Sequence, residues 1–348
     1  MKKNSFYAAV IAAVIFMLLN SGAVIRYSRE ALYMCFETVI PSLFPFFVMS
    51  GLLIYSGFGS VLSRAAGHIM RPLFNVAPAG AAAFVTGMIS GFPLGAVTAA
   101  ELYKSGSLSR SEAERLLAFS GNSSPLFMIG TVGASIYCST ALGLLLYLIH
   151  ILASFLVGMI FSRTGRGRHS SPPMRLITRE LPLTEVFSSA LTRAAQSIIT
   201  VCFAIVFFSS LSRAFLDLLP LPPVLHAAAA GLCEFSTGVL AVSALSTDTA
   251  QKLIMISFII GFSGLCVHLQ VIASIADTGL SLVPYITGKL LHGAIAAALT
   301  LAALRLLPIE VPAFAPAAPM SAAFCISPLL LLIPAPILFL LRRHAARS

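Results

Sequence analysis

Residues 79–103 read AGAAAFVTGMISGFPLGAVTAAELY, an apolar run broken in its middle by Gly91-Phe92-Pro93-Leu94-Gly95. About 20 apolar helical residues cross a bilayer core, so this run has the length and composition of a membrane segment. Pro93 removes a backbone donor while Gly91 and Gly95 relax the backbone, so helix should break there. The run that follows, Leu116 to Tyr137, is interrupted at Ser124-Pro125, and a second pair of runs, Val224 to Leu245 and Leu253 to Ile275, is broken by Gly, Ser and Thr, with Ser263-Gly264 the clearest break. Broken apolar segments in two matching pairs decide how the remaining sequence is read.

Around them lie uninterrupted apolar runs at 6–25, 38–58, 139–161, 194–212, 280–304 and 320–341. The chain of 348 residues is 58% hydrophobic and 10% charged, against roughly a quarter charged in soluble domains, so the bilayer is its solvent. The fold class is an all-α polytopic membrane protein. We assign about eight transmembrane helices, at 6–25, 38–58, 116–137, 139–161, 191–216, 253–275, 280–306 and 320–341, with re-entrant segments at 79–103 and 224–246.

Arg163, Arg166, Arg168, Arg175 and Arg179 crowd one Pro-containing segment, and Arg342, Arg343 and Arg347 close the sequence. The positive-inside rule places both regions in the cytoplasm, with Lys2, Lys3, Arg64 and Arg71 on the same side. Arg26, Arg29 and Arg305 are exceptions. Each half then contains the same succession of a broken segment, a polar loop, a second broken segment and a helix carrying a histidine, His150 or His292. An odd number of crossings separates the two copies, which makes them an inverted repeat. The domain division is an N-terminal membrane helix at 1–35, repeats at 36–162 and 184–306 joined by a basic cytoplasmic linker at 163–183, and a C-terminal membrane helix with a basic tail at 307–348.

The net charge of +10 sits in short loops between apolar runs rather than on one soluble face, which argues against nucleic acid as a partner. The six cysteines are scattered singly, without the spacing of a metal site or a disulfide framework, and read as small core residues. No His-Glu-x-x-His, Gly-x-Ser-x-Gly or Walker pattern is present. We therefore expect no enzyme activity, no cofactor and no metal. The start, Met1-Lys2-Lys3 followed by Phe6 to Leu19, has the form of a signal peptide or of a first membrane helix, and we read it as a retained helix.

Interrupted helices place free N–H and C=O dipoles beside a substrate, as in many secondary transporters. Ionisable residues inside apolar runs cost roughly 2.5 to 3.5 kcal/mol at a helix centre and usually face a cavity. These two arguments select Ser90, Gly91, Pro93, Asn122, Ser123, Ser124, Glu234, Ser263, His268 and Gln270 as substrate-binding candidates. His150 and His292 are read as either ligand contacts or histidines bonded to a neighbouring carbonyl. Glu101, Glu112 and Glu114 with Lys104, Arg110 and Arg115 are read as a solvated charged connector. The bland alternative for every break is a kink or a close helix contact.

Five blocks also resemble a known family: 40–46 (IPSLFPF), 90–96 (SGFPLGA), 112–117 (EAERLL), 123–133 (SSPLFMIGTVG) and 261–270 (GFSGLCVHLQ). They are similar to the YlbJ, or SpoVV, family of sporulation membrane proteins, which carries nucleoside-recognition Gate repeats. The resemblance runs from about residue 36 to 306, and Phe92 stands where many members have Tyr. It implies a transporter in endospore formation that moves dipicolinic acid from the mother cell across the outer forespore membrane. The partners so implied are a small anionic substrate and the lipid bilayer; the oligomeric state is left open. On that view half-helix N-termini with Ser90, Asn122, Ser123, Ser124 and Ser263 would hold two carboxylates, and Glu234 must be protonated, paired or placed elsewhere. A nucleoside or cation carrier and a structural or partner-binding spore-envelope protein are the alternatives.

Overall fold

A computed structural model describes residues 3–53, 59–163 and 182–306, and every regular element among them is a helix. The predicted C-terminal crossing at 320–341 and the core of the basic linker, 164–181, lie outside these residues.

The chain enters through α1 (Lys3–Leu19) and α2 (Ser21–Met34), which meet at a 92° bend. The predicted crossing at 6–25 is thus not one straight helix. Asn20 leaves helical geometry at φ −114° and ψ 29°, and its side-chain amide donates to the Phe16 carbonyl at 3.0 Å, closing the last turn of α1. A π-helical turn, Cys35–Val39, leads into α3 (Ile40–Leu53), and α4 (Gly59–Phe74) follows.

Next come α5 (Gly80–Ser90) and α6 (Leu94–Lys104). Residues eight apart in a straight helix are separated by about 12 Å, yet a Cβ on Gly87 would meet the Gly95 Cα at 3.3 Å. The chain therefore folds back at Gly91-Phe92-Pro93 into a helical hairpin. The same construction recurs in α10 (Pro223–Cys233) and α11 (Phe235–Ser243), where Gly231 and Gly238 bring the two backbones together and the turn falls at Glu234.

Each hairpin is followed by a broken helix and then a long one. In the first case these are α7 (Arg110–Ser120), a non-helical stretch at 121–124, a π-helical segment Leu126–Ile136, and α8 (Thr140–Phe161). In the second they are α12 (Thr249–Phe262), α13 (Gly264–Ile275) and α14 (Val283–Leu306). Between the two sets runs α9 (Leu183–Leu216), 34 residues long. The predicted crossing at 116–137 is accordingly two helices at a non-helical break, and the one at 253–275 is kinked at Ser263.

Among the described residues four spans are long and apolar enough to cross a membrane: Thr140–Phe161, Leu183–Leu216, Thr249–Ile275 and Val283–Leu306. The bent pair at the start makes a fifth if it counts as one. Their outer faces carry apolar stripes at helical spacing, Leu144, Leu148 and Leu152 on α8 and Ile199, Phe203 and Phe207 on α9, all exposed. Such stripes are at home against lipid chains, not water.

The two stretches 36–162 and 184–306 share one interior. Phe74, Phe84 and Phe119 cluster with Val267, Val271 and Tyr285, and α14 packs on α7 and α8 as well as on α12. Charges are settled at the helix ends. Arg26, an exception to the predicted sidedness, pairs with Asp217 at 3.3 Å, and Arg213 pairs with Glu30 at 2.8 Å, tying α2 to α9. The charged connector is only partly solvated. Glu112 caps α7 from within through Ser109 and accepts the Ala77 amide at 3.0 Å, while Arg115 donates to the Asn75 carbonyl at 2.8 Å, so both are buried clamps. Burial is the reason: α7 lies against α5 and α14, leaving those two side chains no water.

Candidate functional site

The hairpin tips and the helix breaks meet. At the first tip Gly91 takes φ +82°, a left-handed conformation open to glycine, and a Cβ there would lie 2.9 Å from the Ser124 nitrogen in the 121–124 break. At the second tip the glycine belongs to the break instead: Gly264, after the Ser263 hinge, takes φ +73°, and a Cβ on it would lie 3.1 Å from the Phe235 nitrogen of the tip. Each hairpin thus rests its tip on the break of the helix that follows. The tips also touch each other through the edge-to-face rings of Phe92 and Phe235, whose centroids are 5.8 Å apart, and Phe127 closes on Phe235 at 5.1 Å.

Between these parts lies a cavity of about 50 Å³. Six of the ten candidates line it: Ser90, Gly91, Ser123, Ser124, Glu234 and Gln270. The space is large enough for a few water molecules and well below the several hundred cubic ångströms of a ligand pocket, so a metabolite enters only if the tips part. The Ser90 and Ser123 hydroxyls are buried without a hydrogen-bond partner. Buried polar groups are nearly always satisfied, so two unpartnered hydroxyls just beneath the surface of a mostly apolar cavity are notable.

A wider groove of about 270 Å³ adjoins it, with Gln270 and Val201 in the walls of both. Pro93 lines this groove, together with Thr98, Gln196, Ser197, Thr200 and Ser274, and the exposed pair Arg193–Glu101 stands at 3.0 Å in it. Gln270 therefore stands at the junction between the wider groove and the smaller central cavity.

Asn122, Ser263 and His268 line neither space. The Asn122 amide donates to the Phe119 carbonyl at 3.2 Å, capping the end of α7. Ser263 is the left-handed hinge at φ +79° between α12 and α13. His268 donates from Nδ1 to the Gly264 carbonyl at 2.8 Å and packs between Phe262 and Tyr285.

Glu234 is fully buried and caps α11. Its carboxylate accepts the Ser236 and Thr237 amides at 3.0 and 2.7 Å and the Ser236 hydroxyl at 2.7 Å. Of the sequence alternatives, pairing is the one observed, and the partner is a helix N-terminus. The expectation that half-helix N-termini are open to substrate carboxylates therefore fails for α11, whose amides Glu234 already occupies.

Sequence reasoning passed over Lys289, which is completely buried in α14. Its Nζ is 2.8 Å from the Gly121 carbonyl, 3.1 Å from His292 Nδ1 and 4.9 Å from the Phe92 ring centroid. His292 Nε2 lies 3.0 Å from the His150 carbonyl, and the two imidazoles stack at 4.3 Å. His292 is thus a carbonyl-bonded histidine, one of its two sequence readings. The signal for Lys289 was a lysine inside the apolar run 280–304, the pattern already used to select Glu234.

No family profile matches the chain, and no solved structure matches it. An alignment of 329 residues, covering 84% of this chain and 80% of its relative, is 32% identical to the sporulation integral membrane protein YlbJ of Bacillus subtilis (strain 168).

Proposed function

The chain belongs to the YlbJ family of sporulation integral membrane proteins, and from that membership we propose that it transports a small anionic metabolite, dipicolinate, out of the mother cell across the outer forespore membrane. The observation that carries this reading is the cavity where two hairpin tips and two helix breaks converge, with the unpartnered Ser90 and Ser123 hydroxyls at its wall. A scaffold would be served by continuous, tightly packed helices at these positions. The backbone here is broken and folded back.

The finer architecture belongs to the same proposal. Hairpin, broken helix and long helix follow one another twice, which supports two Gate-like repeats of inverted topology, eight crossings in all, with the hairpins re-entrant. In such a design one repeat rocks against the other around a fixed site, and here the Phe92–Phe235 contact is the seam. The protein acts as a carrier and not as an enzyme. Dipicolinate is a dianion near neutral pH, and its outward movement across an inside-negative membrane is favoured by about 2.3 kcal/mol per charge per 100 mV, so facilitation suffices. A cation carrier built on Glu234 is less well supported, because that carboxylate is engaged by α11.

The test is complementation. The gene is expressed in an endospore former lacking its own copy, the protein is followed in the membrane fraction, and dipicolinic acid is measured in purified spores. Restored dipicolinate is the expected result; spores without it, despite protein in the membrane, would overturn the proposal.

A further inference from the structure

Lys289 raises a question that the cavity wall does not answer. Among the described residues it belongs to none of the ion pairs, and its polar partners are a carbonyl and an imidazole.

The hydrogen bonds fix where the protons are. The His150 carbonyl can only accept, so His292 Nε2 donates to it, and Nδ1 of the neutral ring is left as an acceptor. Lys289 Nζ must then be the donor to that Nδ1, as it is to the Gly121 carbonyl. His150 is fixed likewise, since its Nε2 accepts the Ser123 amide at 3.0 Å. Both imidazoles are neutral acceptors in this arrangement, and neither supplies negative charge. The remaining neighbour of Nζ is the face of Phe92, a surface that attracts the amine most strongly once it carries a proton.

Phe92 is also part of the cavity wall. One ring therefore borders both the lysine and the cavity lined by Ser90 and Ser123. That ring sits at the tip of the α5–α6 hairpin, beside the left-handed Gly91, on the element that must move if a metabolite is to enter. The lysine network is anchored to the other wall as well, because Gly121 and Ser123 both belong to the break that lines the cavity.

We propose that Lys289 is the counter-charge of the transported anion, screened by Phe92 while the cavity is closed and exchanged from the ring face to a substrate carboxylate when the hairpin tip withdraws. This rests on the anion-carrier reading above and assigns the residue that makes the carrier select for charge. A carboxylate would take the ammonium and the Ser90 and Ser123 hydroxyls together, whereas a neutral molecule of the same shape would leave the ammonium with nothing better than the ring.

The experiment uses the full-length protein in proteoliposomes and three probes of one shape: dipicolinate, 6-carbamoylpicolinate and pyridine-2,6-dicarboxamide, carrying two, one and no carboxylates. The wild type should carry dipicolinate best. Lys289→Gln keeps a hydrogen-bond donor and removes the charge; it should lower dipicolinate transport by about tenfold or more, the scale of a lost charge-assisted bond, and erase the preference over the diamide. Lys289→Arg should retain the preference. Phe92→Leu keeps an apolar wall without the ring quadrupole, leaves Lys289 in place should its own variants fold poorly, and should tighten dipicolinate binding several-fold without tightening diamide binding. A wild type that prefers the dianion together with a Lys289→Gln variant that prefers it equally would overturn the assignment alone, as would a Phe92→Leu effect equal for dianion and diamide. Wild-type vesicles that carry none of the probes, or all three equally, would overturn the assignment together with the anion-carrier reading beneath it.

Discussion

Gly91 and Ser124 approach so closely that a methyl group on Gly91 would stand 2.9 Å from the Ser124 nitrogen, at a residue whose φ is already +82°. Gly91→Ala therefore carries both left-handed strain and a backbone clash, and should destabilise the protein by about 1 to 3 kcal/mol or push the hairpin off its seat. Thermal unfolding in detergent measures it. Gly22→Ala, in α2 with nothing within 4 Å of the added atom, is the control and should be neutral or slightly stabilising.

Glu234 is a cap before it is anything else. Glu234→Ala leaves two buried amides and the Ser236 hydroxyl without their acceptor and should cost about 1 to 3 kcal/mol. Glu234→Gln keeps one acceptor oxygen and should recover part of that loss. If Glu234→Gln instead leaves the melting temperature untouched while abolishing transport, the residue is a ligand and its capping role is secondary.

The exposed pair Lys104–Asp277, 2.7 Å apart, joins the end of α6 to the loop after α13. The hydrogen bond from the Lys104 ammonium holds the Asp277 carboxyl below its usual range. A carboxyl lowered in the folded state stabilises the fold above its ordinary pKa of about 4, and that stabilisation is lost as pH falls through the lowered value. The difference in melting temperature between wild type and Asp277→Asn should thus be small and positive at neutral pH, shrink in high salt, and vanish in acid. Parallel melting curves across pH and salt test this.

Asp217 gathers Arg26, Tyr27 and His226 at the junction of α2 and α9. Asp217→Ala leaves Arg26 with Tyr27 as its neighbour and removes the acceptor of the Tyr27 hydroxyl, so α2 should loosen from α9. The expected cost is about 1 kcal/mol, since these groups are partly exposed, with faster hydrogen exchange confined to the 20–34 region and to the end of α9. Uniform loss of protection across all helices would show that the junction does more than hold α2.

The sequence exposes the site where a residue type carries its own backbone consequence. Gly91 with Pro93, Ser124-Pro125 and Ser263-Gly264 announced their breaks, and all three are breaks in the structure. The turn at Glu234 is different. No Gly or Pro stands at the turn itself, and the fold reverses there because Gly231 and Gly238, three residues before and four after, let the two arms touch. That contact is long-range in helical terms and invisible to a local reading. The bend at Asn20 was read through for another reason: Asn20-Ser21-Gly22 is a short polar step in an otherwise apolar 6–25, and the amide closing on Phe16 turns that step into a bend. Lys289 carried a sequence signal, a lysine inside an apolar run with His292 one turn on, but its contact with the Gly121 carbonyl joins α14 to the break after α7, an adjacency that only the packed molecule reveals.

At 34 residues α9 is about 51 Å long, while the hydrocarbon core it crosses is about 30 Å thick. It must lean or protrude, and it carries Arg193, Ser197, Thr200 and Val201 along the groove that leads to Gln270. Acyl-chain length in the surrounding lipid therefore sets the inclination of a helix that forms one bank of the entry route, which makes membrane thickness itself a control on how readily that route opens.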